Sequence, residues 1–256
     1  MPPLPTSCAL TSATWRTVRD TRYEVAVLPW GATEAHNLHL PYGTDTIQTE
    51  RIATDAARLA SEAGASVMVL PAVPFGVNTG QLDIPFCLNM NPSTQAALLH
   101  DLVGSLTHSG VRKLVILNGH GGNDFRQMIR ELTPLTPLFL CTINWYSCVD
   151  PKPYFERAGD HAGELETSVM LHLSPELVRP LAEAGPGAAH RFRVRGLREG
   201  WAWAPRHWTE VTDDTGVGDP SASTAEKGAR FVQAVTERIG GFLVELAQAD
   251  PRAMYE

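Results

Sequence analysis

The sequence predicts an α/β protein, a three-layer αβα sandwich with a mainly parallel central sheet. Short apolar runs alternate with segments whose apolar residues recur at helical spacing, a pattern typical of parallel strands joined by crossover helices. The runs are continuously apolar, as expected for strands that are covered on both faces. No repeat or linker divides the chain of 256 residues, so we expect one domain spanning residues 1–256.

Four apolar runs are predicted to form the sheet, over residues 23–30, 66–70, 113–117 and 137–145. Five helices are predicted, over residues 46–63, 91–109, 123–132, 163–175 and 221–249. Apolar residues spaced by about 3.6 positions indicate the first helix. Pro92 favours the start of the second helix, and Gly110 ends it.

Residues 180–214 do not fit this alternation. The segment holds Trp201, Trp203 and Trp208 among arginines and prolines. We interpret it as an excursion or lid packed on the domain; the alternative is a surface loop anchored by partly buried tryptophans. Together with residues 75–91, it is expected to supply the pocket residues around the site.

Composition and charge exclude several classes of protein. The net charge is −7, with 21 Lys and Arg against 28 Asp and Glu, whereas a nucleic-acid-binding protein is normally basic. No segment approaches the roughly 18 apolar residues of a membrane span, and the first five residues do not resemble a secretory signal. The four cysteines lack Cys-x-x-Cys spacing, so we expect reduced thiols in a cytoplasmic protein.

Polar residues with metal-binding chemistry follow the first predicted strand. Ligands of open α/β sheets bind at the carboxyl ends of the strands. Glu34 and His36 are two positions apart and therefore point the same way on an extended backbone, and Asp45 precedes the first helix. Carboxylates with an imidazole suit Zn²⁺, Mn²⁺ or Fe²⁺. The alternative is a solvated loop in which Asp45 caps the helix.

His120 follows the third predicted strand and stands among glycines, in the run NGHGGN of residues 118–123. Glycines allow a backbone to approach a substrate or a metal closely. The alternative is a glycine-rich turn with a hydrogen-bonded histidine. That alternative is harder to sustain when two other polar clusters occupy matching positions.

A third cluster contains His161, Glu164 and Glu166. If Gly163 opens the fourth helix, both glutamates lie in its first turn, where the helix dipole favours acidic residues. Since residues two positions apart face different directions on a helix, at most one glutamate is expected to bind a metal. His161 is the candidate for proton transfer, because histidine exchanges protons near neutral pH.

The three clusters together offer more ligands than one metal ion needs. Their number matches two metal ions that share a bridging carboxylate. Asp160 or Glu164 is expected to orient or assist the catalytic histidine. His39 either supports a metal ligand through its second ring nitrogen or simply caps the loop.

These residues resemble the creatininase (creatinine amidohydrolase) family. The resemblance extends over about residues 24–245 and rests on several separate motifs in the right order. The motifs are residues 31–36 (GATEAH), 40–45 (LPYGTD), 118–123 (NGHGGN), 161–168 (HAGELETS), 216–220 (GVGDP) and 225–228 (AEKG).

The resemblance implies the αβα fold, two divalent metal ions per chain (Zn, Mn or Fe) and hydrolysis of carbon–nitrogen amide bonds. Family members act on cyclic amides, formamides and a peptide bond in redox-cofactor maturation, and they commonly form hexamers. The implied ligands are Glu34 and His120 for one ion, His36 and Glu166 for the other, and Asp45 as the bridge, with His161 as the catalytic histidine.

Three departures from the family pattern bear on the substrate. Creatininase has Tyr and Glu at the positions of Gly121 and Gly122, which points away from creatinine. Members that act on peptides have His at the position of Glu164, which points away from a peptide bond. Asn37 and Leu38 replace the commoner Gly-Pro, as in a separate subgroup.

The leading hypothesis is therefore a homo-oligomeric amidohydrolase that acts on a small-molecule amide other than a peptide. A phosphoesterase could use the same two metals, but no basic cluster adjoins the ligand motifs in sequence. A non-catalytic, metal-stabilised binding subunit is the remaining alternative. Structural zinc sites, however, are usually closed and cysteine-rich, whereas this ligand set is rich in oxygen.

Overall fold

The computed structural model describes residues 8–256; the prediction about the first five residues lies outside this range. Four parallel strands form the central sheet in the order β2-β1-β3-β4. Their bounds are Val25–Trp30 (β1), Val67–Val69 (β2), Lys113–Asn118 (β3) and Phe139–Asn144 (β4). Each strand coincides with a predicted run, so the predicted parallel sheet is confirmed.

Helices follow the strands as predicted, with additional short helices. The α-helices of residues 8–256 are Trp15–Arg19 (α1), Thr44–Glu62 (α2), Pro92–His108 (α3), Arg126–Leu132 (α4), Glu164–Leu173 (α5), Arg195–Glu199 (α6), Trp208–Val211 (α7) and Ala225–Gln248 (α8). The five predicted helices correspond to α2 to α5 and α8. None of the helices in this range combines the length and apolarity needed to cross a membrane.

The two faces of the sheet carry two separate cores. Along β1, Val25 and Val27 belong to a core formed with α2 and α8, whereas Ala26, Leu28 and Trp30 belong to a core formed with α3 and α4. Successive side chains of a strand point to opposite faces. The continuous apolar runs therefore arise because helices cover both faces, and the predicted three-layer sandwich is confirmed.

The segment between α5 and α8 packs on the domain through Trp208, whereas its other two tryptophans are exposed. Trp201 and Trp203 are 76% and 85% exposed, so neither is a buried anchor, and only Trp208 is half-buried. A second, antiparallel sheet of Gly159–His161 (β5) and Val217–Gly218 (β6) was not predicted. Strands this short carry no periodic signal in the sequence. The four cysteines are free thiols, as predicted.

Replacement of Phe231 tests the packing of α8. Phe231 is fully buried, and its ring centroid lies 5.3 Å and 5.1 Å from those of Tyr154 and Phe155. We expect Phe231→Ala to lower the free energy of unfolding by about 3–5 kcal/mol in urea denaturation. The exposed Trp203→Ala control should change it by less than about 0.5 kcal/mol. Equal losses in the two variants would contradict this assignment of the core.

Candidate metal centre

The loops at the carboxyl ends of β1 and β3 lie side by side. Trp30, at the end of β1, is in register with Asn118, at the end of β3. The first loop carries Glu34 and His36 and leads into α2, and the second carries His120. All three side chains are buried. The sheet therefore brings together residues that are more than 80 positions apart.

The structure brings the five predicted metal-ligating residues together around Asp45. One Asp45 oxygen, Oδ1, lies 3.0 Å from His36 Nε2, and the other, Oδ2, lies 3.0 Å from His120 Nδ1. Glu34 Oε1 lies 2.9 Å from the same His120 nitrogen. Three groups are suited to hold a metal, and two of them consist of Glu34, Asp45 and His120 and of His36, Asp45 and Glu166. These two groups share Asp45.

The three histidines at the centre are oriented in the same way. Each places one ring nitrogen against a backbone carbonyl oxygen, which can only accept a hydrogen bond, so that nitrogen carries the proton. The acceptors are the carbonyls of Glu34 for His36, Val77 for His120 and Ala35 for His161, at 3.0, 3.1 and 2.8 Å. In a neutral ring the other nitrogen carries a lone pair, and in His36 and His120 this nitrogen lies 2.9–3.0 Å from a carboxylate oxygen. Two acceptors come this close only with a proton or a cation between them.

The electrostatics of the site fit a bound cation. Burial lowers the pKa of His36, but Asp45, Glu166 and Glu34 outweigh it and raise this pKa to about 10. Burial raises the pKa of Asp45, but His36 and His120 outweigh it and lower the pKa. Asp45 Oδ2 is buried and lies 3.0 Å from His120 Nδ1, in a contact that lacks good hydrogen-bond angles. Divalent cations would supply the positive charge that the imidazoles otherwise take up as protons.

Amide side chains hold the loop of His120 in place. Asn118 accepts a hydrogen bond from the His120 backbone N–H at 3.1 Å and donates to the His120 carbonyl at 2.9 Å. Asn123 donates to Asn118 at 3.0 Å and accepts from the Val77 N–H at 3.1 Å. The predicted close approach of glycines is found at Gly119 and Gly122, whereas Gly121 faces open space.

His161 lies beside the two ligand groups. Its Nδ1 lies 3.7 Å from Glu34 Oε1, and its ring centroid lies 4.2 Å from that of His36. The ring packs edge-on against Trp208, with centroids 4.6 Å apart. With Glu34 and His36 it forms a third group of suitable metal-ligand atoms. Asp160, predicted to assist His161, instead pairs with Arg206 through both oxygens.

The two glutamates of α5 have different environments. Glu164 Oε1 accepts from Lys227 Nζ at 2.6 Å, and Oε2 accepts from the N–H groups of Glu156 and Arg157 at 2.8 and 2.6 Å. These contacts favour a structural role for Glu164 over the predicted catalytic one. Glu166 reaches the centre, and burial raises its pKa.

Two further residues are placed as supports of this region. His39 pairs its Nε2 with Thr167 Oγ1 at 2.8 Å, and its Nδ1 has no hydrogen-bond partner among the described residues. Ala162 has a positive φ of 50° and donates its N–H to Glu166. This φ is uncommon for a residue other than glycine, and it is found next to His161.

Other contacts at the site were not predicted individually. Gln81 donates to Glu34 Oε2, and Cys87 donates to Gln81. Both residues lie in the predicted pocket segment 75–91, but a glutamine and a cysteine in a loop carry no signal that would single them out.

A cavity of about 1240 Å³ begins at Gly159, two residues from His161. Cationic side chains line it: Arg191, Arg193, Arg198 and Arg206. No basic cluster adjoins the ligand motifs in sequence, but the fold places these arginines in a cavity beside β5. The sequence did not reveal this proximity because the antiparallel pairing of β5 with β6 brings the segment there.

The αβα fold and the buried cluster of histidines and carboxylates define an α/β protein with a candidate metal centre. The family model described as creatininase, creatinine amidohydrolase, matches residues 11–243. The chain therefore belongs to the creatininase family, a family of hydrolases, as the resemblance implied.

Relatives support this assignment. A mycofactocin precursor peptide peptidase from Mycobacterium tuberculosis is 33% identical over 222 residues, covering 82% of this chain and 81% of the relative. A solved protein from Bacteroides fragilis, assigned as a creatinine amidohydrolase, is 49% identical with a TM-score of 0.93, covering 99% of this chain and 100% of that one. A structure described as "Creatininase Mn" shares the fold at 20% identity, with a TM-score of 0.76 over 95% of this chain and 100% of that one.

Two neighbouring glycines test the loop of His120. A Cβ atom at Gly122 would overlap the Val77 carbonyl oxygen and the His120 ring, whereas one at Gly121 meets nothing within 4 Å. We expect Gly122→Ala to weaken binding of Mn²⁺ or Zn²⁺ by about 10–100-fold, because His120 must move. Gly121→Ala should bind the metal as the unchanged protein does. Equal metal affinities of the Gly122→Ala and Gly121→Ala variants, measured by competition with a chelator, would contradict this geometry.

The charge balance predicts that the stability of the metal-free protein depends on pH. The pKa of His36 is raised from 6.5 to about 10 in the folded state. Such a group stabilises the fold fully below its unfolded pKa, and the contribution is lost as the pH rises through the folded pKa. We expect the unfolding temperature of metal-free protein to fall between about pH 7 and pH 9. The unfolding temperature of protein loaded with Mn²⁺ should fall less over this pH range. An equal dependence of the unfolding temperature on pH in the two forms would argue against cation binding at His36.

Proposed function

We propose that this protein is a metal-dependent amidohydrolase that cleaves a carbon–nitrogen amide bond with water and two divalent cations. The observation that carries the proposal is the position of Asp45 in both ligand groups, with each of its two buried oxygens 3.0 Å from a different histidine. A structural metal site would not require a shared carboxylate together with a further histidine at its edge.

Each cation has its own ligands in this proposal. Glu34 and His120 would hold one and His36 and Glu166 would hold the other, with Asp45 available to both. When bound, such cations lower the pKa of a water molecule and polarise the carbonyl oxygen of an amide. The carbonyl-bound ring nitrogens of the histidines keep the remaining nitrogens aimed at the centre.

His161 is proposed to transfer the proton to the leaving nitrogen. Its Nδ1 faces the centre at 3.7 Å from Glu34, while Nε2 is held by the Ala35 carbonyl. Trp208 packs against the ring and keeps it in this orientation. Glu164 is proposed to hold the start of α5 through Lys227, with no contact to substrate.

The cavity beside β5 bears on which substrates the centre would accept, although none of the candidate ligands lines it. Its volume of about 1240 Å³ exceeds the roughly 300–1,000 Å³ of typical small-molecule pockets. Together with the peptidase relatives, this cavity supports a second candidate, hydrolysis of a peptide bond. The glycines at positions 121 and 122 support an uncharged small amide that requires no acidic side chain there.

We propose that the protein assembles as a homo-oligomer. Large apolar side chains are exposed near the centre and on the segment between α5 and α8. Examples are Phe86, Trp201 and Trp203, at 84%, 76% and 85% exposure. Exposed apolar residues of this size are typical of surfaces that contact another protein.

Replacement of Asp45 tests the proposed centre. Asp45→Asn should reduce the metal content from about two ions per chain. It should also reduce amide hydrolysis by more than the roughly 10–100-fold that loss of an outer hydrogen-bond partner costs. The control is Asp55→Asn on the same helix, where the carboxylate pairs at the surface with Arg51 at 2.8 Å. An Asp45→Asn variant with two metals and full activity would overturn the proposal.

A substrate panel separates the candidate reactions. Lactams, formamides and N-acyl amino acids represent small amides, and acidic peptides with matched neutral peptides represent the second candidate. Turnover of a phosphoester without turnover of any amide or peptide would contradict both.

A further inference from the structure

Behind Glu34 lies a short chain of hydrogen bonds that none of the proposed roles uses. Ala35 donates its backbone N–H to Cys87 Sγ at 3.2 Å, and Cys87 donates its S–H to Gln81 Oε1 at 3.1 Å. Gln81 then donates through Nε2 to Glu34 Oε2. Gln81 and Cys87 are buried, with 1% and 8% exposure.

A carboxamide can occupy its site in two orientations that differ by a half-turn. With the amide reversed, Gln81 Oε1 would face the Glu34 carboxylate and two acceptors would repel. Cys87 selects between the orientations because its sulfur already accepts from Ala35. Its S–H is therefore left to donate, and it needs the Gln81 oxygen as acceptor.

We infer that Cys87 is a positioning residue of the metal centre, acting on Glu34 through Gln81. This chain of hydrogen bonds occupies Glu34 Oε2 and leaves Oε1 facing His120 Nδ1, 2.9 Å away. Outer hydrogen bonds of this kind orient metal ligands and influence the affinity for the metal. The inference rests on the proposed function, since it assigns a role toward the cation.

The backbone around Cys87 supports this role. Phe86 has a positive φ of 63° although its side chain is 84% exposed, so packing of the ring does not account for the conformation. The turn is fixed on both sides, because Tyr42 donates its hydroxyl to the Pro85 carbonyl at 2.8 Å and Leu88 donates its N–H to Thr33 at 2.9 Å. Strained residues of this type persist where the surrounding structure holds them, often at functional sites.

Two substitutions of Cys87 separate hydrogen bonding from packing. Cys87→Val keeps an apolar side chain, with one more heavy atom, and removes the S–H donor, whereas Cys87→Ser keeps a donor. The readout is the dissociation constant of Mn²⁺, measured by competition with a chromophoric chelator, with the unfolding temperature of each metal-free variant as a check. We expect Gln81→Leu to weaken binding by about 10–100-fold and Cys87→Val to weaken it severalfold. Cys87→Ser should stay within about twofold of the unchanged protein.

Cys141→Ala is the matched control, since Cys141 is half-buried on β4 and packs against the core away from the metal centre. It should leave the affinity for Mn²⁺ unchanged. A double variant tests whether Cys87 acts through Gln81. Cys87→Val should add little to the loss of Mn²⁺ affinity caused by Gln81→Leu, because both substitutions interrupt the same series of hydrogen bonds.

Wild-type affinity in Cys87→Val, or additive losses in the double variant, would overturn the positioning role and leave the proposed function intact. If Cys87→Val does not fold, Cys87→Ala removes the same donor without branching at Cβ and serves in its place. Failure of the unchanged protein to bind Mn²⁺ or Zn²⁺ would overturn the proposed function together with this inference.

Discussion

The site depends on the balance of charge among buried imidazoles and carboxylates. Glu34, His36 and Asp45 are almost completely excluded from solvent, so water cannot stabilise their charges. In each of three histidines, one ring nitrogen donates a hydrogen bond to a backbone carbonyl and the other faces a carboxylate. The positive charge must therefore lie between the groups, as protons or as metal ions. Because these groups stay buried, either protonated imidazoles or bound metal ions must balance the carboxylate charge.

Such a centre requires rigid loops, and the loops around it are held at several points. The residues with positive φ outside glycine include Asn37 beside His36, Ala162 beside His161 and Phe86 in the loop that reaches Glu34. Each costs conformational energy that the hydrogen bonds of the surrounding loops offset. The sheet supplies the reference frame, because β1 and β3 are paired along their whole length and end together.

The sequence predicted the sheet and the ligands through different signals. Strands and helices carry a periodic pattern, and Glu34, His36, Asp45 and His120 carry unusual chemistry at strand ends. Gln81 could not be identified in this way, since it acts through a partner 47 positions away and glutamines are common in loops. The β5–β6 pair and the arginine-lined cavity likewise depend on contacts between distant segments. Family resemblance assigned the ligands, and the structure brings them together.

Glu164 and Glu166 show what distinguishes a structural carboxylate from a candidate metal ligand. The two lie in the same turn, and their sequence positions give no reason to prefer either. The negative charge of Glu164 is balanced within the protein, by Lys227 and two backbone N–H groups. Glu166 receives one backbone N–H and has a pKa raised by burial, and each oxygen of the neighbouring Asp45 lies 3.0 Å from a histidine nitrogen. The charge of these carboxylates is balanced by imidazoles that can hold either a proton or a metal ion, whereas Glu164 is paired with a lysine that can hold only protons.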